Sequence, residues 1–294
     1  MDDLPTLKLE LGRLFQELEI HLSQLKSRSN QAGRQYGDIA HSILEIVPQS
    51  PNYQVCALLI QYLQTASQEI TRSTAAEALG KMRDEAAIAP LSDVLRNYKE
   101  EREVRSEAAL ALGRIGSNAV VPTLIENLRN KDNGRMVMWH CADALNIGHF
   151  NDPFVVDALI DALTDDYTGI KDSSDIREAA KDALVAIGNG YTIGRLIEKL
   201  AVKTLNPVLY KDEGIRQDII IALGHIPNPL SLSPLLQILN DSNRTVLQEA
   251  AIEALANFDD PRAISAIRAA LNSTDESVRE MANYALKKIE QRGE

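Results

Sequence analysis

Aromatic side chains are scarce in this sequence. Four per cent of its residues are Phe, Trp or Tyr, and Trp139 is the only tryptophan. Strands favour aromatic and β-branched residues, so a chain poor in aromatics and rich in Ala and Leu points to packed helices rather than a β-sandwich. Cysteine is scarcer still. Cys56 and Cys141 supply neither a disulfide framework nor a zinc-binding spacing, which suits a reducing, cytoplasmic setting. No apolar run approaches the roughly 20 residues that cross a bilayer, and the N-terminal MDDLPTLKLELG lacks the basic-then-apolar layout of a signal peptide. Basic runs are missing too. The formal charge of −11 repels phosphate backbones and anionic membranes, so nucleic acid and membrane are excluded as expected partners.

The machinery of catalysis is also thin. The sequence has no Gly-rich phosphate loop, no nucleophile elbow and no convincing Ser/His/Asp set. No catalytic residue is therefore assigned. None of His21, His41, His140, His149 and His225 lies within four residues of another, so there is no local metal clamp, and neither metal nor cofactor is expected.

What the chain does have is repetition. TRSTAAEALGKM at 71 returns as VRSEAALALGRI at 104, and further copies begin at 137, 176, 215, 247 and 278. Their anchor leucines are Leu79, Leu112, Leu145, Leu184, Leu223, Leu255 and Leu286, and alanine precedes each one. A second leucine follows sixteen residues later in most copies: Leu95, Leu128, Leu200, Leu239 and Leu271. Each copy thus reads as two helices joined by a short turn, with Gly80, Gly113 and Gly224 weakening or ending the first. Such a pair cannot bury its apolar face alone, but stacked neighbours bury a continuous core.

On these residues the chain resembles a known family. VRSEAALALGRIGSNAVVPTLIENL, residues 104–128, is similar to the short HEAT repeat named after phycobilisome (PBS) lyases, and the likeness runs over residues 55–290. It implies an all-α fold, a right-handed α-solenoid of about seven HEAT-like helix pairs. Residues 51–294 form the solenoid. Residues 1–50 match the pattern poorly but carry an apolar stripe through Leu7, Leu11, Leu14, Phe15, Leu18, Leu22 and Leu25, which reads as an N-terminal helical cap. Relatives of this kind attach or detach bilins on phycobiliproteins, often as a heterodimer of two HEAT-repeat subunits, while others are scaffolds without chemistry. The repeat motif is a packing motif, so it carries no catalytic residue over to this chain.

Aligned copies serve as internal controls. Cys141 fills a slot held by alanine in most copies, and so reads as a small buried residue. Six places before the anchor, every copy is polar except at Trp139. Seven places before, Met138 interrupts a column of Arg72, Arg105, Arg177, Arg216, Gln248 and Arg279. Two normally wet or half-wet positions have turned large and apolar in one copy. Met138, Trp139 and the adjacent His140 therefore read as an interaction patch, unless the insertion that follows folds over them. Two insertions, 164–175 and 201–214, fall between the second helix of one copy and the first helix of the next. They carry Tyr167 with Lys171, and Tyr210 with Lys211. Loops at equivalent places emerge along one edge and would raise a rim.

Second helices line the concave wall of HEAT-type solenoids. Here their outward residues include Asp157, Asp161, Arg195 and Lys199. Two functional readings follow. One is a protein-binding scaffold using this wall and the loop rim. The other, implied by the resemblance, is a bilin lyase or chromophore-detaching subunit with a phycobiliprotein or a second HEAT-repeat subunit as partner and a bilin as ligand.

Overall fold

Helix follows helix along the chain, and no strand occurs among the described residues. The computed structural model describes residues 4–24, 30–47, 52–165, 170, 173–201, 210–241 and 244–293. Helices α1 (Leu4–Gln24), α2 (Asn30–Ile46) and α3 (Tyr53–Thr65) come first. First and second helices then alternate: α4 (Glu69–Met82) and α5 (Ile88–Arg96), α6 (Arg102–Ile115) and α7 (Val121–Arg129), α8 (Gly134–Ile147) and α9 (Pro153–Thr164). The series continues with α10 (Ser174–Ile187) and α11 (Gly190–Ala201), α12 (Tyr210–His225) and α13 (Pro229–Asp241), α14 (Thr245–Leu255) and α15 (Pro261–Ala270), and ends on α16 (Glu276–Gly293). This is the all-α solenoid pattern of helix pairs that the repeat predicts. One insertion is shorter than the sequence suggests, because α12 already begins at Tyr210 within 201–214.

Start signals are local. Asp152 and Asp260 cap α9 and α15, accepting the backbone N–H of Phe154 at 2.9 Å and of Arg262 at 2.8 Å, with Pro153 and Pro261 in the first helical turn. Proline is preorganised there because its missing N–H would be unsatisfied in any case. Stop signals differ from expectation. Gly80, Gly113 and Gly224 lie inside their helices. The reversal comes four residues after the anchor, where Arg83, Gly116, His149 and Gly188 take φ of +54°, +72°, +55° and +49°.

The chain divides into two compact units, Met1–Phe150 with Gly169–Ile176, and Asn151–Thr168 with Arg177–Glu294. In the first, α4, α6 and α8 stack side by side. A Cβ on Gly80 would lie 2.6 Å from Ala111 Cα, and one on Gly113 would lie 2.5 Å from Ala144 O. The small pair, alanine before one anchor and glycine after the previous one, is what lets the backbones touch. The same device recurs in the second unit, where a Cβ on Gly224 would meet Ala254 Cα at 2.6 Å. All seven alanines of the Ala-Leu steps are buried, and so are their leucines except Leu286 on the last helix. Leu271, read as a second anchor, is exposed just past the end of α15.

Helix α1 belongs to the first unit and packs on α3. Phe15 stacks on Tyr62 with ring centroids 4.3 Å apart, and Tyr62 Oη donates to Gly12 O. Glu19 accepts from Ser67 Oγ at 2.6 Å and from the backbone N–H of Gln68 at 3.1 Å. It thereby caps α4, whose own N-cap residue, Gln68, makes no side-chain cap.

Candidate functional site

The arginine column explains one sequence anomaly and corrects its reading. Arg72 donates to Ala66 O, Arg105 to Leu95 O, Gln248 to Leu239 O and Arg279 to Ser273 O. Each of these carbonyls lies at or just past the end of the preceding second helix, where intrahelical donors run out. The column is therefore structural: it is half-wet, half-buried at most copies and fully buried at Arg105. Met138 sits in it at 1% exposure, so it is not a surface residue. Its missing polar role passes to Asn133, which donates to Asn127 O at 2.9 Å and accepts from Arg105 Nη2 at 2.5 Å.

Trp139 and His140 do come together. Their rings lie 4.4 Å apart at 34°, and His140 Nδ1 sits 2.8 Å from Met136 O. Burial lowers the His140 pKa, so the ring is neutral at physiological pH. Trp139 is 36% exposed. Cys141 beneath is fully buried, and burial pushes its thiol up to about 12, as expected for a packing residue. Tyr167 and Lys171 lie outside the described residues. Tyr210 and Lys211 open α12, and their side chains lie outside the described set as well.

In the second unit, Asp157 on α9 and Arg195 on α11 form an ion pair, Arg195 Nε donating to Asp157 Oδ1 at 2.8 Å. Arg195 Nη1 also donates to Glu198 at 2.5 Å. Tyr191 Oη donates to Asp157 Oδ2 at 3.0 Å, and this bond holds the phenol pKa above its usual range. Asp161 is exposed one turn beyond Asp157, and Lys199 is half-buried one turn beyond Arg195. A similar strap occurs in the first unit, where Arg96 on α5 reaches Glu126 on α7 at 3.1 Å. The charged straps therefore belong to the stacking of second helices as much as to any site.

A different column sets the second unit apart, and the sequence reading missed it. Seven residues after the anchor leucine, or nine after Leu145, stand Ala86, Ala119, Phe154, Tyr191, Leu230 and Arg262, the two alanines in the single 3-10 turns Glu85–Ala87 and Asn118–Val120 that lead into α5 and α7 and the other four in the first turn of a second helix. Where the cap aspartate or asparagine accepts the backbone N–H at this place, as at Ala86, Phe154, Leu230 and Arg262, the first turn is fixed. Phe154 is 76%, Tyr191 42% and Leu230 63% exposed. Three large apolar groups thus stand in successive second helices, α9, α11 and α13, in one row. The first unit has alanine at the matching places. Scattered exposed apolar residues are ordinary, but an aligned set beside a polar rim is the anatomy of an interaction surface. The signal in the sequence was an apolar residue following Asp-Pro or Asn-Pro, as in NDPF and NPL.

Among the described residues, no three His, Cys, Asp or Glu side chains gather to hold a metal. None of the described helices is long and apolar enough to cross a membrane.

A family model of HEAT repeats matches residues 33–102, 93–185, 172–256 and 233–294. No curated protein matches the chain. Among solved structures, the karyopherin Kap121p aligns with a TM-score of 0.61 at 14% identity, over 98% of this chain and 34% of that one, so the chain spans about a third of the karyopherin's length. The Escherichia coli protein YibA aligns with a TM-score of 0.52 at 19% identity, over 95% of each chain. The complex of CpcE and CpcF of phycocyanin lyase from Nostoc aligns with a TM-score of 0.44 at 23% identity, over 80% of this chain and 94% of that one.

Proposed function

The chain belongs to the HEAT-repeat family, and from that premise we propose that it is a protein-binding scaffold whose main contact surface is the row Phe154, Tyr191 and Leu230 with its charged border. One observation carries this reading. Three consecutive second helices expose large apolar groups at a place where stacking needs none, since alanine serves at the same place in the first unit. Burying a Phe or Leu side chain in a partner contributes about 1.5–3 kcal/mol. Interface anchors of this kind carry most of the affinity. Asp157, Asp161, Arg195 and Lys199 border the row and set orientation and on-rate more than affinity. Trp139 is a separate, smaller contact candidate.

The test is capture from the native source with the full chain as bait, comparing wild type with Phe154→Ala, Leu230→Ala and Trp139→Ala. The row variants should lose at least tenfold in affinity for the captured protein while their helical circular dichroism stays unchanged. A partner held equally well by all of them would remove the row from the reading. The bilin-handling role implied by the sequence resemblance is separated from the scaffold by mixing the chain with a bilin. A shift in visible absorbance would favour that role.

A further inference from the structure

The chemistry of what binds this surface can be derived from the row itself, and the inference rests on the scaffold reading above. Packed helices lie about 8–10 Å apart, so anchors on α9, α11 and α13 recur at about that interval. The junction of α9 and α11 is direct, since Tyr191 on one donates to Asp157 on the other at 3.0 Å. A ligand must therefore present an apolar group about every 9 Å, always on the same side.

Three backbone forms can be tested against that requirement. A β-strand turns successive residues to opposite faces, and same-face residues recur at about 6.6 Å, so it misses alternate anchors. An α-helix has residues seven apart at about 10.5 Å, which fits in length. Its side-chain cylinder, however, is about 10 Å or more across. Lying over this row it would cover Asp157, Arg195 and Glu198, joined at 2.8 and 2.5 Å, and desolvating such a network is costly. The row is narrow, with Asp152 and Asp157 beside Phe154, Arg195 beside Tyr191 and the exposed Ser233 beside Leu230. A polyproline-II chain has three residues per turn and a rise of about 3.1 Å, so its residues i, i+3 and i+6 share one side at about 9.3 Å intervals. It is slim, its backbone stays hydrated, and aromatic ledges are what such chains dock on.

Charge narrows the occupant further. Asp152, Asp157, Glu198 and Asp260 flank the row against Arg195 and Arg262, which is next in the same column, and both arginines are held by those carboxylates. The border is net acidic on a chain of charge −11. We propose that the row takes an extended, cationic segment of a partner protein in the polyproline-II conformation, with apolar or proline residues at every third position, one for each of α9, α11 and α13.

The experiment uses the full chain and an immobilised library of twelve-residue peptides that varies apolar spacing (two, three or seven residues) and net charge independently. Cationic peptides with three-residue spacing should bind best. Their binding should fall at least tenfold with Phe154→Ala or Leu230→Ala, and severalfold between low and physiological salt. Preference for two- or seven-residue spacing, preference for acidic peptides, indifference to the row variants, or no binding at all would each overturn the proposal. The scaffold reading fails separately. If a captured partner depends on Phe154 and Leu230 but engages through a helix or a folded face, only the proposal falls. If neither peptides nor partner depend on those residues, both fall.

Discussion

Replacing Gly113 with alanine should destabilise the protein, although a glycine-to-alanine change inside a helix ordinarily gains about 1 kcal/mol. The reason is the neighbour. The new methyl would stand 2.5 Å from Ala144 O, 2.7 Å from Ala144 Cα and 2.9 Å from its Cβ. Two of these are backbone atoms of α8, so no side chain can swing aside. The helices α6 and α8 must separate by several tenths of an ångström, loosening the contact that buries the Ala-Leu steps. Overpacking of this kind costs about 1–3 kcal/mol, which exceeds the propensity gain or at best cancels it.

Gly12 supplies the control in the same unit. It lies within α1, and an added Cβ there meets nothing within 4 Å. Gly12→Ala should therefore raise stability by about 1 kcal/mol. The two substitutions are chemically identical and predicted to differ in sign. Urea unfolding followed by circular dichroism gives the stability, and Trp139 on α8 gives a fluorescence signal from the helix that has to move. If Gly113→Ala stabilises the chain as Gly12→Ala does, the first helices do not stack through glycine and alanine, and the account of the core is wrong.

Other predictions follow from local geometry. Arg83 and His149 hold φ of +54° and +55° where Gly116 and Gly188 stand in other copies. Arg83→Gly and His149→Gly should thus each raise stability by about 0.5–1 kcal/mol, read as an increase in urea midpoint, and a decrease at both would refute the shared turn. Glu19 is partly buried, which raises its pKa, but hydrogen bonds from Ser67, Thr71 and Gln68 outweigh this and hold it below the usual carboxylate range. Its contribution is therefore present above the unfolded value and fades as pH falls through the folded one. Glu19→Gln should cost about 1 kcal/mol at pH 7, and the gap from wild type should close in acid; a gap independent of pH would refute the cap. Burial lowers the His140 pKa, so titrating Trp139 fluorescence should give a midpoint below the ordinary histidine value of about 6.5. The step should vanish in His140→Gln.

Much of the fold was legible in the sequence because packing repeats what it needs. The Ala-Leu step recurs seven times and is buried throughout, except at Leu286 on the last helix. Two features misled. The arginine column reads as wet or half-wet because its residues are charged, yet a guanidinium on a long stem can pass through the layer and satisfy a helix end. Met138 therefore seemed an exposed apolar exception and is instead a buried one. Glycine after the anchor reads as a helix stop, whereas the tertiary partner, Ala111, Ala144 or Ala254, is what requires it. That requirement lies on another helix some thirty residues away, so no local pattern reveals it.

The candidate site was legible only in its least specific part. Asp157 and Arg195 were identifiable because charges on an outward helix face suggest contact, but the Arg96–Glu126 strap shows that the same charges tie second helices together. The row was missed because its column has no consensus: alanine, alanine, phenylalanine, tyrosine, leucine, arginine. In a repeat protein, lack of consensus at an exposed place means that stacking does not constrain it. A position free of packing can be either neutral or functional. Water alone gives no reason to keep Phe154 and Leu230 at 76% and 63% exposure in successive layers. A position that packing leaves free, and that three adjacent helices nevertheless fill with large apolar groups, is better explained by a surface outside the chain than by any contact within it.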